Sequence, residues 1–184
     1  MSAAVPPPEL DVPESWRLVS EETSTPFDVR VVTVTATTRI YEDTELRERL
    51  AATTGTETTW RFAFASRLRI RPTQPPSRAL SRLVSDRSAA AFVDVLEERG
   101  FSDIDRADTH RFDVDGDEVD ATRYRARARF DDRSIPVEAY FAAWPSTDEY
   151  LLGGGAYPLS LPGSASFDRN EGRDDLLAMM RSIR

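Results

Sequence analysis

The sequence predicts an α+β domain, an antiparallel sheet covered by helices, and three observations carry that reading. Strand-like segments rich in β-branched and aromatic residues follow one another with short turn signals between them, as in hairpins. A long stretch of helical period at residues 77–99 and a second at the end of the chain interrupt and close the run of strands. The chain has 184 residues, 40% of them hydrophobic and 30% charged, which is enough to bury a core and too polar for a membrane-spanning protein.

Taken in order, residues 1–13 hold three consecutive prolines and little apolar content, and read as a flexible, partly extended leader. Residues 14–184 then form a single α+β domain. Trp16–Glu22 and Asp28–Tyr41 read as strands separated by a Thr/Pro turn; in the second, Val32, Val34, Ala36 and Ile40 share one face and Thr33, Thr35, Thr37 and Arg39 the other. Asp43 or Thr44 caps a short helix that stops before Gly55, with Leu46 and Leu50 on its inner side. Residues 58–71 alternate clearly, with Trp60, Phe62, Phe64, Leu68 and Ile70 set against Arg61, Arg67, Arg69 and Arg71. Ser77 opens the long helix, whose apolar stripes are Leu80, Leu83 and Val84, then Phe92, Val95 and Leu96. Ser85 and Asp86 between the stripes leave room for a kink, and Gly100 is a natural residue to follow the last turn. A four-stranded meander fills 101–157, turning at Asp115–Gly116, Asp131–Asp132 and Pro145–Asp148. A last helix, from about Gly172 to Ile183, buries Leu176, Leu177, Met180 and Ile183.

Composition excludes several chemistries. Cysteine is absent, which removes disulfides, thiol nucleophiles and cysteine-ligated metals; the single histidine, His110, removes histidine-rich metal sites and catalysis through two imidazoles. No cofactor is implied. Net charge is −8, and every one of the 24 basic residues is arginine. Abundant carboxylates with arginine in place of lysine resemble the composition of proteins from salt-loving microbes, where acidic surfaces stay hydrated. On that reading the melting temperature rises steeply between dilute and molar KCl, as the Debye length shrinks to about 3 Å near 1 M; a salt-independent melting temperature overturns it. The chain shows no basic and apolar leader of signal-peptide kind and no membrane-spanning run, so a cytoplasmic location is expected.

Candidate functional residues lie mainly on two strands. Arg123, Arg125, Arg127 and Arg129 occupy one face of a strand whose other face carries Tyr124, Ala126, Ala128 and Phe130. Were that strand next to the one bearing Arg67 and Arg69, an acidic protein would own a basic sheet face able to dock an anionic group. The alternative is that these arginines pair across strands with Asp103, Asp105 or the helix carboxylates. Nucleic acid is the disfavoured partner, since salt erodes phosphate contacts and no nucleic-acid motif is present. The aspartates at 103–120 fail the spacing of a calcium loop and surround an Asp-Gly hairpin turn. Gly153, Gly154 and Gly155 interrupt a strand, either for close packing or for approach of a ligand, without the residues of a phosphate loop.

With Pro13–Glu14–Ser15–Trp16 at the first strand, the Asp115–Gly116 hairpin turn followed by Tyr124 after a long helix, and Arg181–Ser182–Ile183 closing the terminal helix, the layout resembles the PsbP-like fold family. That family is named for an extrinsic protein of photosystem II and is shared by a Ran-binding nuclear transport factor and bacterial lipoproteins. The resemblance implies an α/β/α sandwich acting as a non-enzymatic module that docks onto a larger protein; no family site residue carries over. The expectation is therefore an accessory module with a protein partner. The alternative is a small-molecule binder or enzyme with a pocket between sheet and helices near the three glycines.

Overall fold

The computed structural model describes residues 4–29, 31–59, 61–163 and 166–184. The strands are β1 (Trp16–Val29), β2 (Val32–Asp43), β3 (Phe62–Arg71), β4 (Phe101–Val114), β5 (Asp117–Phe130), β6 (Arg133–Ser146) and β7 (Glu149–Pro158); the helices are α1 (Thr44–Thr54), α2 (Arg78–Glu98) and α3 (Arg169–Arg181). All seven strands join one antiparallel sheet in the order β1-β2-β3-β7-β6-β5-β4, so the predicted α+β class is the one the chain adopts. Trp60, expected on the alternating strand, lies outside the described residues.

Two helices cover the sheet from opposite sides. α2 brings Val84, Phe92 and Leu96 onto Phe62, Leu68, Tyr124, Ala126 and Phe141. α3 and the residues just after it bring Leu176, Leu177, Met180 and Ile183 onto Ala63, Ala65, Val119, Ala121, Tyr140 and Tyr157. α1 closes one end, its Leu46 and Leu50 packing with Phe130 and Ile135. Its start follows from Asp43, whose carboxylate accepts from the Leu46 N–H at 3.0 Å, and its end from Gly55 at φ 73°.

Several expected boundaries move, each for a physical reason. The turn expected between Glu22 and Asp28 is absent, because β1 runs on to Val29. Pro26 costs little on an edge strand, and the register shift between Ser24 and Phe27 accommodates it. α2 passes straight through Ser85 and Asp86 without a second cap. α3 starts at Arg169, before Gly172, since the Asp168 carboxylate accepts from the backbone N–H groups of Asn170 and Glu171.

Residues 4–13 carry no helix or strand and are held along their length. Val5 and Pro8 are buried, and Leu10 and Val12 pack against the core beneath α3. The Thr37 hydroxyl donates to the Val5 carbonyl at 2.8 Å and the Arg39 guanidinium to that of Pro8 at 3.1 Å. Proline-rich chain offers carbonyls with few N–H groups, which suits the donor-rich face of β2. Glu9 and Arg184 exchange backbone hydrogen bonds at 2.9 and 3.0 Å, tying the two ends of the chain together.

Candidate functional site

The face of β5 that is buried changes halfway along the strand. Val119 and Ala121 point into the core under α3, whereas Tyr124, Ala126, Ala128 and Phe130 point to the opposite side, toward α2 and α1. β5 keeps an unbroken register with β6 from Thr122 to Phe130, and the irregularities of the hairpin fall in β4, at Ser102/Asp105 and Arg106/Asp108. The switch therefore needs no bulge in β5: each helix covers only part of so wide a sheet. Where the cover of α3 ends, the odd-numbered positions of β5 become Arg123, Arg125, Arg127 and Arg129.

The six arginines singled out in the sequence do not form one surface. β7 and β6 stand between β3 and β5, and α3 lies across β7. Arg67 is opposite Leu151, which is opposite Trp144; Arg125 is opposite Glu138, six residues earlier on the same strand β6. The two stripes are thus offset by roughly 20 Å along the strands as well as by three strand spacings of about 4.8 Å. Arg67 and Arg69 are also neutralised, both hydrogen-bonding the Glu149 carboxylate. Cross-strand pairing accounts for them.

Arg123 is likewise engaged. Its guanidinium grips both oxygens of Asp108 and reaches Glu138 at 3.1 Å, while the Tyr157 hydroxyl donates to the other Glu138 oxygen at 2.6 Å. The hydrogen bond from Arg123 holds the Asp108 carboxyl below the usual carboxylate range. Burial, then the hydrogen bond to Glu138, pushes the Tyr157 hydroxyl upward, so it stays protonated as a donor. His110 meets Tyr140 edge-on at 6.0 Å beside this network. The arrangement is a satisfied structural cluster in which each charged group has a counter-charge.

Arg125, Arg127 and Arg129 differ from the rest. All three are exposed, and among the described residues none makes an ion pair; the hydrogen bond found for them is a long one, 3.4 Å, from Arg127 to the Ser134 hydroxyl. Ser102, Asp103, Arg127, Arg129 and Ser134 line an open depression of about 660 Å³. Register explains the convergence: Ser102 is opposite Arg127 and Ser134 opposite Arg129, which puts both hydroxyls on the arginine side of the sheet. Asp103 sits in the β4 irregularity with φ 52°, a left-handed conformation that aspartate tolerates better than most residues. The two serines carry no signal in the sequence, because only the strand pairing brings them to the arginines; Asp103, one of the carboxylates expected to pair with the stripe, lines the same depression but makes no ion pair with it among the described residues.

The other sequence candidates have structural roles. Asp113 accepts from the Gly116 N–H at 3.0 Å across the Asp115–Gly116 turn, where φ is 52° and 90°. Asp120 pairs with Arg111 at 3.0 Å. The three glycines lie on β7, the central strand. A Cβ on Gly154 would meet the Tyr140 carbonyl oxygen and sit 2.8 Å from the Phe64 ring, and one on Gly155 would meet the Phe62 carbonyl oxygen and Leu176. That space is filled by protein, so the glycines let the paired strands, the Phe64 ring and α3 approach one another closely.

No helix among the described residues is long and apolar enough to cross a membrane. Comparison with curated proteins and with solved structures gives no match. A family described as a domain of unknown function, DUF6517, matches residues 2–184, and the chain belongs to that family.

Proposed function

We propose that this domain is a non-enzymatic binding module that docks an acidic segment of a protein partner against the corner of the sheet bearing Arg125, Arg127 and Arg129. One observation carries the reading. In a chain of net charge −8, where Arg67, Arg69 and Arg123 are matched to carboxylates, these three stand in a row on one exposed face without an ion pair among the described residues. Spaced two residues apart along β5, they recur about every 6.6 Å, a repeat that an extended segment with alternating carboxylates would match. The exposed carboxylates elsewhere would repel such a segment and so leave this corner as the landing point.

The layout resemblance to PsbP-like modules, which act by docking, points the same way. So does the openness of the depression, since small-molecule sites enclose most of their ligand. A high-salt setting belongs to the same proposal and rests on the acidic, lysine-free composition.

The test is capture from a lysate of the source cells kept at high salt, with cross-linking and in parallel with the variant Arg125→Glu/Arg127→Glu/Arg129→Glu. The expected result is a stoichiometric partner cross-linked to β5 through an acidic segment and lost with the variant. A partner retained equally by the variant, or cross-linked through a segment lacking acidic residues, overturns the reading.

A further inference from the structure

We propose that the depression formed by Ser102, Arg127, Arg129 and Ser134 is an oxyanion site that takes the phosphoryl group of a phosphorylated side chain on the docked partner. The inference rests on the docking reading above and names the chemistry the site selects.

The donors argue for phosphate over carboxylate. Arg127 and Arg129 each present a planar fork of N–H donors, and the Ser102 and Ser134 hydroxyls add two donors from the flanking strands, one on either side of the arginines. A phosphomonoester brings three acceptor oxygens and a charge approaching −2, which matches two guanidiniums; a carboxylate brings two oxygens and one charge and leaves one guanidinium unmatched. Register holds this donor set in place. All four residues belong to paired positions of a three-strand ladder, so the backbone spends no ordering entropy when the ligand arrives. The depression is open, as suits a group presented on a polypeptide.

Asp103 shares the lining and supplies the sharpest control. Its carboxylate opposes an anion, so Asp103→Asn should strengthen binding, and asparagine accepts the same left-handed backbone. A gain of affinity is a result that misfolding does not produce.

The experiment uses the full chain in molar KCl, titrated calorimetrically with a short acidic peptide carrying one phosphoserine, with the same peptide carrying serine, and with inorganic phosphate. The phosphopeptide should bind about tenfold or more tightly than its serine counterpart, and Arg127→Gln or Arg129→Gln should each remove about tenfold. Asp103→Asn should tighten the phosphopeptide about threefold without changing the serine peptide as much. Equal binding of the two peptides, abolished by the triple reversal, overturns the oxyanion site while leaving the docking reading in place. Binding of inorganic phosphate with no preference for the phosphopeptide assigns the site to the free ion and overturns the partner-borne source. Failure of all three probes, with capture unaffected by the triple reversal, overturns both.

Discussion

Gly154→Val is expected to destabilise the domain by about 3 kcal/mol or more, read as a lowered urea midpoint with an unchanged slope, or as failure to fold at low salt. Gly154 sits on the central strand, and its added side chain would collide with the Tyr140 carbonyl on the neighbouring strand and with the Phe64 ring, which itself packs on Phe92 and Phe141 at 5.5 and 6.4 Å. Neither the backbone of a paired strand nor a ring stacked in the core yields without opening the sheet. Gly55→Asn is the contrasting control. Gly55 needs its φ of 73° but has open space where a Cβ would go, so the substitution should cost only about 1 kcal/mol or less. Equal, small effects at both positions would show that the core around β7 is looser than the contacts require.

Arg61→Leu is expected to cost about 3 to 5 kcal/mol, the usual penalty for leaving a buried charge without its partner. Arg61 is 7% exposed and Asp43 8%. The guanidinium donates to Asp43 at 3.2 Å and to Asp175 at 2.7 Å, joining the start of α1 to α3. It also lies between two aromatic rings, 5.0 Å from Trp16 and 5.4 Å from Phe167. Asp43 does two jobs, one oxygen capping α1 and the other meeting Arg61. Hence Asp43→Asn alone keeps the cap and loses the charge, and combined with Arg61→Leu it should recover part of the stability lost by the single change. A double-mutant cycle in urea measures this. Strictly additive losses would mean that the pair contributes through packing alone.

The local features of the fold were legible because each depends on a few adjacent residues. The cap at Asp43, the stop at Gly55, the alternation at 62–71, the Asp-Gly turn and the apolar stripe of α3 all express short-range sterics and hydrogen bonding. Pro26 misled for the same reason: it breaks a central strand, and only the place of β1 at the sheet edge makes it harmless. The arginines of β5 were visible as a stripe, but which of them were matched was not. Asp108 and Glu138 reach Arg123 from two different strands, and Glu149 reaches Arg67 and Arg69 from a strand some 80 residues away in sequence.

By itself, then, the sequence determined the class of fold, the identity of nearly every element, the absence of thiol chemistry and the acidic, lysine-free surface, since these follow from composition and period. Only the tertiary structure decided which face of each strand is covered and where that cover stops. A seven-stranded sheet is wider than a helix, so α2 and α3 each shield part of it, and β5 crosses from one shielded zone to the other. Strand order separates the Arg67–Arg69 stripe from that of β5, and strand register gathers Ser102, Ser134 and Asp103 around Arg127 and Arg129. Those contacts join residues far apart in the chain, and long-range pairing is set by the packing of the whole sheet, which no local pattern of residues encodes.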